Sequence, residues 1–363
     1  MPPRRLLFLL YELSFGGVER QAQLLAEAAK SQGHHVTLLV LGGDGPAHPR
    51  FTPICEQIII LHAPVNRDMA LHQAIRQAVQ PLQHDAAFLF STAKLPVISH
   101  ALRSRIPMQI MHVGNPTRWS WMEYFKQSVR SLYFRPSRQL FLVANSRYTL
   151  QSLNDHFYYQ PFPLSFSLNC VRIPDTPVSI RETCEPLRIG MVARLDRIKD
   201  HATLLRAVAL ARKQGVNVVC ELLGRGELEE ELKKLSVELG LEQAVRFIGW
   251  SADVDSTMRQ WDIFVFSTTE QEGFGNAAAE AMAAGLPCIL TDIGPCREVG
   301  GDAVRYVPFA NPQALADAII ALQSPVIRRD LSTRARARAQ KYFRADRKLA
   351  DFLRIAFASR GAA

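Results

Sequence analysis

The chain has 363 residues, of which 48% are hydrophobic and 21% are charged, and its formal net charge is +9. This composition is ordinary for a soluble globular protein, and the length is enough for two domains with cores of their own. No apolar run approaches the roughly 18–20 residues that span a bilayer. The positive charge predicts an anionic partner, and the absence of zinc-finger, RNP or helix-turn-helix patterns argues against nucleic acid.

Two features indicate a cytoplasmic protein. The first residues, MPPRRLLFLLYELSFGG, imitate a secretion signal, but the apolar part is short, Glu12 interrupts its continuation and no small-residue cleavage site follows. We interpret this stretch as a first β-strand. The six cysteines have neither CxxC spacing nor matching histidine pairs, which favours reduced thiols over a disulfide framework or a zinc site.

The amino-terminal half begins with a strand–helix–strand pattern. Strands are expected at 6–11 and 36–41, and the helix between them begins at a turn that contains Gly16 and Gly17. This turn is the ordinary place for a phosphate in a doubly wound sheet. A Gly-Gly pair by itself more often marks only a tight turn.

Further strands are expected at 57–61, 87–91 and 108–113. His112 falls at the carboxyl end of the last of these, where we expect it to face a ligand, although a single histidine is usually structural or exposed. Ser146 is predicted to cap the helix that follows it. The segment 156–166, rich in proline and aromatic residues, is predicted to be a loop.

The segment 118–138 predicts a helix with aromatic and basic faces, because Trp121 and Phe125 are interleaved with Lys126 and Arg130. One interpretation is a helix packed on the core with a solvated rim. The other is an interfacial helix that rests on an anionic membrane, which would suit an enzyme with a lipid-linked acceptor. We favour the first and keep the second open.

The carboxyl-terminal half begins after 174–186, where proline, threonine, serine and charged residues predict a linker. A strand at 187–193 leads into a loop that carries Arg194 and Lys199. Two cations at a strand end can neutralise a diphosphate leaving group, Arg194 by bidentate contact and Lys199 as a point charge. The next strand, 218–223, ends in a turn that begins at Gly224, which is weak evidence by itself.

The most informative stretch is 269–297. It follows the expected strand 263–266 and contains the next one, 288–291. A turn of Gly273, Phe274 and Gly275 precedes an alanine-rich helix. Strand, turn, helix and strand in this order make a βαβ crossover, with the turn at the carboxyl edge of a parallel sheet.

Two carboxylates flank the amino terminus of this helix. That terminus, near Gly275 and Asn276, suits a phosphate, and glycines let backbone amides approach it. Glu280 lies one turn beyond Asn276 on the same face, where a carboxylate can accept two hydrogen bonds from a ribose diol. Glu272, in the turn, could do the same for a sugar ring. Either acid alone would be taken as a solvated surface residue, but the combination indicates a site.

The segment EGFGNAAAEAMAAGLP resembles the Glu-x7-Glu signature of retaining glycosyltransferases of family 4. This resemblance implies the GT-B fold and transfer of a glycosyl group from a nucleotide sugar to a hydroxyl with retained anomeric configuration. It also implies a front-face mechanism, in which the leaving phosphate takes the acceptor proton. Glu272 is then a ligand to the sugar, and no residue of the chain is an evident covalent nucleophile.

Other segments carry the resemblance along the chain. The Gly16-Gly17-Val-Glu element is similar to one that lines the family's cleft near the donor phosphate and the acceptor, and family members often have an active-site histidine at the strand of His112. The loop of Arg194 and Lys199 resembles G-R-L-x-x-x-K-G, with Ala193 and Asp200 in place of the two glycines. Gly224 matches a Gly-x-Gly turn. Glu298 matches the acid of a Gly-x-Pro-Glu segment and is expected to support the site from behind.

No metal and no separate cofactor are expected. Asp253-Val-Asp255 matches the metal-binding DxD motif of a different glycosyltransferase fold, but it stands just before a helix, so we interpret it as a cap. The co-substrate is a nucleotide-diphosphate sugar. A UDP-sugar is expected, although the motifs do not determine the base.

The sequence therefore predicts an α/β protein with two facing Rossmann-like domains, the first at 1–173 on the acceptor side. A linker follows at 174–186 and a nucleotide-sugar domain at 187–344. The family resemblance further implies that 345–363 form a helix that returns to the first domain. The expected acceptor is a glycan or a lipid-linked hydroxyl at the inner face of the membrane. Three alternatives stay open: a GT-B sugar phosphorylase, a nucleotide-sugar epimerase and a non-catalytic scaffold.

Overall fold

The computed structural model describes residues 2–90, 94–116, 120–155, 162–251 and 253–357. The chain divides into two compact units: unit 1 consists of Met1–Cys170 and Ala345–Ala363, and unit 2 of Val171–Arg344. Parts of four predicted segments lie outside the described residues, namely 91 of the strand expected at 87–91, 118–119 of the aromatic helix, 156–161 of the loop and 358–363 of the terminal helix.

Strands and helices alternate through both units. The strands are β1 (Arg5–Leu10), β2 (His35–Val40), β3 (Gln57–Ile60), β4 (Ala86–Leu89), β5 (Met108–Val113), β6 (Gln139–Ala144), β7 (Leu164–Phe166), β8 (Leu187–Val192), β9 (Val218–Leu223), β10 (Val245–Gly249), β11 (Ile263–Phe266), β12 (Cys288–Thr291) and β13 (Arg305–Val307). The helices are α1 (Gly17–Ser31), α2 (His48–Phe51), α3 (Asp68–Val79), α4 (Leu95–Leu102), α5 (Trp121–Tyr133), α6 (Arg147–Asn154), α7 (His201–Lys213), α8 (Glu229–Glu238), α9 (Val254–Met258), α10 (Asn276–Ala284), α11 (Gly294–Gly300), α12 (Pro312–Ala321), α13 (Pro325–Tyr342) and α14 (Ala345–Phe357).

Unit 1 is built on a parallel sheet with the strand order β3-β2-β1-β4-β5-β6-β7. Successive side chains of a strand point to opposite faces, so Leu6 and Phe8 of β1 enter one core while Leu7 and Leu9 enter the other. Phe352 of α14 closes the first core edge-on against Phe88, with ring centroids 5.3 Å apart. The last described helix is therefore part of the core of unit 1.

One expectation for unit 1 is corrected by the structure: the end of the predicted loop 156–166 is a strand, because β7 pairs in parallel with β6. The favoured interpretation of 118–138, a helix packed on the core with a solvated rim, holds in part. No residue of α5 is fully buried, but Tyr124 packs on the core, and Phe134, which follows the helix, is buried in it. By contrast, Ser146 accepts a hydrogen bond from the Thr149 amide at 3.0 Å, which confirms the predicted cap of α6.

Unit 2 is built on a second parallel sheet, with the order β10-β9-β8-β11-β12-β13. The predicted linker 174–186 is not a separate connection, because its residues pack on this unit. Val178 is buried and donates its amide to the Ala284 carbonyl at 2.7 Å. The Nε of Arg181 donates to Asp262 at 2.8 Å. Apolar and charged contacts to distant residues thus hold a segment whose composition is typical of a linker.

Arginines of α13 donate hydrogen bonds to the carboxyl ends of three other helices of unit 2. The main-chain carbonyls at a helix carboxyl terminus lack partners within the helix, and a guanidinium can supply them. Arg328 donates to Leu322 at 2.7 Å after α12, and Arg336 to Ala283 of α10 at 2.9 Å. Arg338 donates to Glu298 and Val299 of α11 at 2.7 and 2.6 Å. None of the described helices has both the length and the hydropathy that crossing a membrane would require.

Candidate functional site

The strand order of unit 2 brings two loops together. Strands β8 and β11 are neighbours, but the chain continues from β8 to one side of the sheet and from β11 to the other. The place where the direction reverses is a topological switch point, and ligands of open α/β sheets bind at its carboxyl edge. The loops are joined there by main-chain hydrogen bonds, from Thr269 to Ile198 at 2.9 Å and from Asp200 to Ser267 at 3.1 Å. The loop with Arg194 and Lys199 is thus fixed against the loop with Glu272.

Lys199 and Glu272 form an ion pair at this edge, with each side chain only 12% exposed. The ammonium of Lys199 also lies 4.8 Å from the ring centroid of Phe266, the last residue of β11. The other carboxylate oxygen of Glu272 accepts the amides of Gly273 at 3.0 Å and Phe274 at 3.4 Å. Both charged groups are therefore held in place before any ligand arrives.

Arg194 differs from Lys199 in its exposure. Its side chain is 75% exposed, and its Nη2 lies 3.0 Å from Asp196, a residue that the sequence analysis missed. Asp196 also accepts the amides of Ile198 at 3.0 Å and Lys199 at 3.3 Å. The contact with the Ile198 amide is an Asx turn, in which an aspartate accepts a hydrogen bond from the main chain two residues later. An Asp shortly after a strand could therefore have indicated this turn in the sequence. Arg194 remains accessible to an anionic ligand.

The turn at Gly224 positions the loop of Arg194. Gly224 has φ of +150°, and a Cβ at this position would lie 1.9 Å from the carbonyl oxygen of Ala193. Leu195 donates its amide to Arg225 at 3.0 Å. The Gly-x-Gly turn therefore allows two loops to approach main chain to main chain, as expected where only glycine fits.

Helix α10 begins at the same edge of the sheet. Gly275, its N-cap, has φ of +91°, a left-handed conformation that suits glycine. The side chain of Phe274 is buried against Phe343, with ring centroids 5.7 Å apart, so it anchors the turn and only its main chain is available to a ligand. Asn276 and Glu280 are half-buried, one turn apart on the same face.

Glu298 lies in α11, the helix that follows β12. Its side chain is half-buried, and its carbonyl is held by Arg338. The neighbouring Cys296 is buried, and burial together with the charge of Glu272 raises the pKa of its thiol. Asp253 caps α9 by accepting the Ser256 amide at 3.0 Å, which confirms the cap predicted for the Asp-x-Asp segment.

In unit 1, Gly16 and Gly17 begin α1 at the carboxyl end of β1 and are exposed. The carboxylate of Glu19 folds back over this turn, where it accepts a hydrogen bond from Ser14 at 3.1 Å. A Cβ on Gly16 would lie 2.4 Å from that carboxylate. Burial raises the pKa of Glu19. The turn thus already holds a carboxylate at the helix end where we expected a phosphate.

His112 is placed at the end of β5, as expected, but it does not face an open edge. It is 3% exposed and packs among aromatic rings, with Phe90 at 5.7 Å and Phe352 at 6.5 Å between centroids. Burial, with the nearby charge of Lys348, holds the pKa of His112 well below its usual value. His112 is thus buried at the end of β5, and its expected role at a ligand stays a prediction.

Comparisons with known families agree with this arrangement. Residues 15–171 match the family model described as Glycosyltransferase Family 4, and residues 177–340 match the one described as Glycosyl transferases group 1. The chain belongs to the family 4 type of glycosyltransferases. These two matches fall on unit 1 and unit 2, respectively.

Individual relatives of this glycosyltransferase are distant. The chain is 36% identical over 106 residues to the putative glycosyltransferase EpsF of Bacillus subtilis, covering 29% of the chain and 27% of EpsF. It is 29% identical over 164 residues to the N-acetylgalactosamine-N,N'-diacetylbacillosaminyl-diphospho-undecaprenol 4-alpha-N-acetylgalactosaminyltransferase of Campylobacter jejuni, covering 44% of each. The alignments thus span less than half the length of these curated relatives.

The fold of the glycosyltransferase is shared over nearly the whole chain. The structure of HepE from Anabaena in complex with UDP-glucose superposes with a TM-score of 0.77 at 21% identity and covers 96% of this chain and 99% of HepE. Both Rossmann-like units are included in this match, so the predicted GT-B fold is confirmed.

Proposed function

We propose that the protein transfers a glycosyl group from a nucleotide-diphosphate sugar, a UDP-sugar in the first instance, to a hydroxyl of a glycan or lipid-linked acceptor. The anomeric configuration is retained. The proposal rests on one observation: Arg194, Lys199, Glu272 and the amino terminus of α10 lie together at the switch point of unit 2. Solved HepE complexes contain UDP and UDP-glucose, which supports this donor class.

The site residues have distinct tasks in this mechanism. Lys199 and Arg194 neutralise the diphosphate as it leaves, and the amides at the start of α10 receive a phosphate. Glu280 accepts hydrogen bonds from the ribose diol, and Glu272 from hydroxyls of the transferred sugar. Because Glu272 is already bonded to Lys199, the sugar and diphosphate contacts are coupled through that pair.

The chemical step needs no covalent nucleophile from the protein. The bond between the anomeric carbon and the β-phosphate oxygen breaks, and a bond to the acceptor oxygen forms on the same face. The acceptor proton passes to the departing phosphate. The contribution of the protein is then the positioning of both substrates and the stabilisation of the negative charge that develops on the diphosphate.

A screen of nucleotide sugars tests the proposal. The purified chain is incubated with UDP-, GDP-, ADP- and dTDP-sugars, and release of the nucleoside diphosphate is measured. NMR identifies the anomer of the released sugar at early times, before it mutarotates. Sugar release without added phosphate supports a transferase. Turnover that requires inorganic phosphate indicates a phosphorylase, a new nucleotide sugar without an acceptor indicates an epimerase, and no reaction or binding with any donor indicates a scaffold.

We further propose that α5 places the enzyme on an anionic membrane, at its cytoplasmic face. Its exposed side chains form the α5 apolar patch, which consists of Trp121, Met122, Phe125, Leu132 and Tyr133, each more than half exposed. Lys126, Arg135 and Arg138 are exposed beside it. An exposed helix face of aromatic residues with basic neighbours is typical of helices that lie in a membrane interface. The C. jejuni relative, whose name includes a diphospho-undecaprenol, supports an acceptor carried by the membrane.

Sedimentation with vesicles tests the membrane proposal. We expect binding to phosphatidylglycerol vesicles and little to phosphatidylcholine vesicles, and the substitution Trp121→Ser/Phe125→Ser should reduce binding about tenfold or more. The matched control is Val326→Ser/Ile327→Ser, which removes two exposed apolar side chains from unit 2. Equal loss in both variants would contradict a role specific to α5.

A further inference from the structure

Asp68, the first residue of α3, holds two cations that come from two other helices. Its Oδ1 accepts from the ammonium of Lys94, the N-cap of α4, and its Oδ2 from the Nε of Arg130 in α5 at 2.7 Å. The three side chains are between 17% and 25% exposed. One carboxylate therefore fixes two cations at a partly desolvated place, where an electrostatic contact with a ligand is stronger than in open solvent.

The cluster retains an excess positive charge. Burial alone would raise the pKa of Asp68, but the hydrogen bonds from Lys94 and Arg130 outweigh burial and lower it, so the carboxylate is ionised at neutral pH. Two cations and one anion leave a net charge of about +1.

The cluster also lies where a ligand of unit 1 is expected. In the order β3-β2-β1-β4-β5-β6-β7, the chain leaves β1 and β4 in opposite directions, so the loops that follow these two strands flank the switch point. Lys94 comes at the end of the loop after β4, opposite the turn of Gly16 and Gly17 after β1. It adopts φ of +61°, a left-handed conformation that non-glycine residues rarely adopt and that is often found at ligand sites.

Helix α5 links this cluster to the α5 apolar patch. At ~100° per residue, Trp121, Phe125 and Leu132 fall within an arc of about 40°, and Arg130 lies about 160° from Leu132 around the helix. The patch thus points away from unit 1, while Arg130 points back to α3. An amphiphilic molecule whose apolar part rests on the patch would have its polar group beside the same helix.

We propose that Lys94 and Arg130 bind the phosphate or diphosphate of the acceptor, and that Asp68 holds both cations ready until the acceptor arrives. This inference rests on the proposed function, because it names the substrate class of the acceptor side: a hydroxyl compound that carries a phosphate. The phosphate contacts the ammonium and the guanidinium, and competes with the Asp68 carboxylate for them. No bond is made or broken in this step.

Titration calorimetry with inorganic pyrophosphate tests the site. We expect Lys94→Gln and Arg130→Gln each to weaken pyrophosphate binding about tenfold, the scale of one charge-assisted hydrogen bond. Lys94→Arg should restore most of the binding because it keeps the charge. Asp68→Asn removes the competing carboxylate and should strengthen binding about threefold. Lys233→Gln, a surface lysine of α8, is the control for a changed net charge.

Asp68→Asn separates a binding site from a structural one. If the three residues only stabilise the packing of α3, α4 and α5, this variant lowers the Tm and leaves pyrophosphate binding unchanged or weaker. That result, or binding by Lys94→Gln and Arg130→Gln equal to that of Lys233→Gln, overturns the inference. Because pyrophosphate can also bind Arg194 and Lys199 in unit 2, each titration is repeated on the Lys199→Ala background, where the unit 1 variants must show the same ratios.

Two further measurements are needed. One distinguishes failure of this inference from failure of the proposed function, and the other identifies whether the phosphate belongs to a lipid or to a soluble compound. UDP binding is measured for every variant: unchanged UDP binding with altered pyrophosphate binding supports the inference, whereas a wild-type protein that binds no nucleotide would contradict the proposed function instead. Vesicles of phosphatidylcholine, with and without a polyprenyl diphosphate, then identify the carrier. A preference for the doped vesicles that Arg130→Gln abolishes indicates a lipid phosphate, and no preference indicates a soluble one.

Discussion

Lys199 and Glu272 are 73 positions apart in the sequence and form an ion pair in which both side chains are 12% exposed. The pair joins the loop after β8 to the loop after β11, so it crosses the switch point of unit 2. A ligand that binds the charged group of either residue also changes what the other residue is paired with. This makes the pair the most informative place for substitutions.

We expect Lys199→Ala to lower kcat/KM by an amount equivalent to about 2–4 kcal/mol, the scale of losing one preorganised donor to developing charge. The variant should also weaken UDP binding, because the diphosphate loses a cation. Steady-state kinetics and calorimetry measure the two effects. Lys234→Ala, an exposed lysine of α8, should leave both unchanged. An unchanged kcat/KM for Lys199→Ala would remove the residue from the mechanism.

The two carboxylates should contact different halves of the donor. Glu280→Ala should weaken UDP and the intact UDP-sugar alike, since each lost hydrogen bond to a charged acceptor is worth roughly 1.5–3 kcal/mol. Glu272→Ala should not weaken UDP binding, because loss of the carboxylate leaves Lys199 free for the diphosphate, but it should lower turnover of the whole nucleotide sugar. Titration of both variants with both ligands distinguishes these patterns. An equal loss of UDP binding in the two variants would show that the tasks are not divided in this way.

Gly224→Ala should be far more damaging than Gly215→Ala, although both residues have positive φ. An alanine Cβ at 215 meets nothing within 4 Å, so only the backbone conformation is penalised, by about 1 kcal/mol. At 224 the Cβ would collide with the Ala193 carbonyl, and overpacking adds about 1–3 kcal/mol. Urea unfolding measures both free energies. Similar losses of unfolding free energy in the two variants would mean that the loop of Arg194 moves to accommodate the added Cβ at little cost.

Stability should fall as the pH drops from about 6.5 to 4, in part because His201 is buried. Burial lowers the pKa of His201 to about 4, below the value of an unfolded histidine. The unfolded chain therefore binds the extra proton first, and the stabilisation is complete above pH ~6.5 and lost toward pH ~4. His201→Gln should flatten the dependence of the unfolding free energy on pH over this window. The exposed His62→Asn should follow the wild type; identical slopes for all three proteins would contradict the assignment.

Turnover should persist in EDTA. The Asp253 carboxylate is engaged in capping α9, and Asp255 lies 2.9 Å from the Nε of Arg259, so this Asp-x-Asp pair is committed to its own helix. The measurement is the rate of donor turnover before and after chelation. Activity that disappears with EDTA and returns with Mg²⁺ or Mn²⁺ would require a different account of charge neutralisation.

Local patterns in the sequence predicted most elements of both units and the caps at Ser146 and Asp253. These features depend on neighbours in the chain: strand alternation, helix periodicity and cap chemistry act over a few residues. The two loops that carry Arg194, Lys199 and Glu272 were also predictable, because the carboxyl ends of parallel strands meet at one edge.

Other features depend on residues that are far away in the sequence. His112 ends a strand, but Phe352 of the last described helix covers it. The segment 174–186 has the composition of a linker, but Asp262 and the end of α10 hold it on unit 2. Helix α5 has the amphipathic pattern of a core helix, but only the structure shows that Tyr124 packs on the core while Trp121 and Phe125 are exposed. Sequence periodicity indicates that a helix has an apolar face but not what covers that face.

The division of unit 1 into two sequence segments has a consequence for biosynthesis. Its core contains Leu349, Phe352 and Leu353 of α14, which are synthesised only after all of unit 2. At ~5–20 residues per second, a ribosome needs roughly 10–35 s to pass from Val171 to Arg344. During that interval one face of the first sheet lacks the α14 side chains that complete its core, although unit 2 can already fold. The half of the protein that emerges first is thus the half that is finished last.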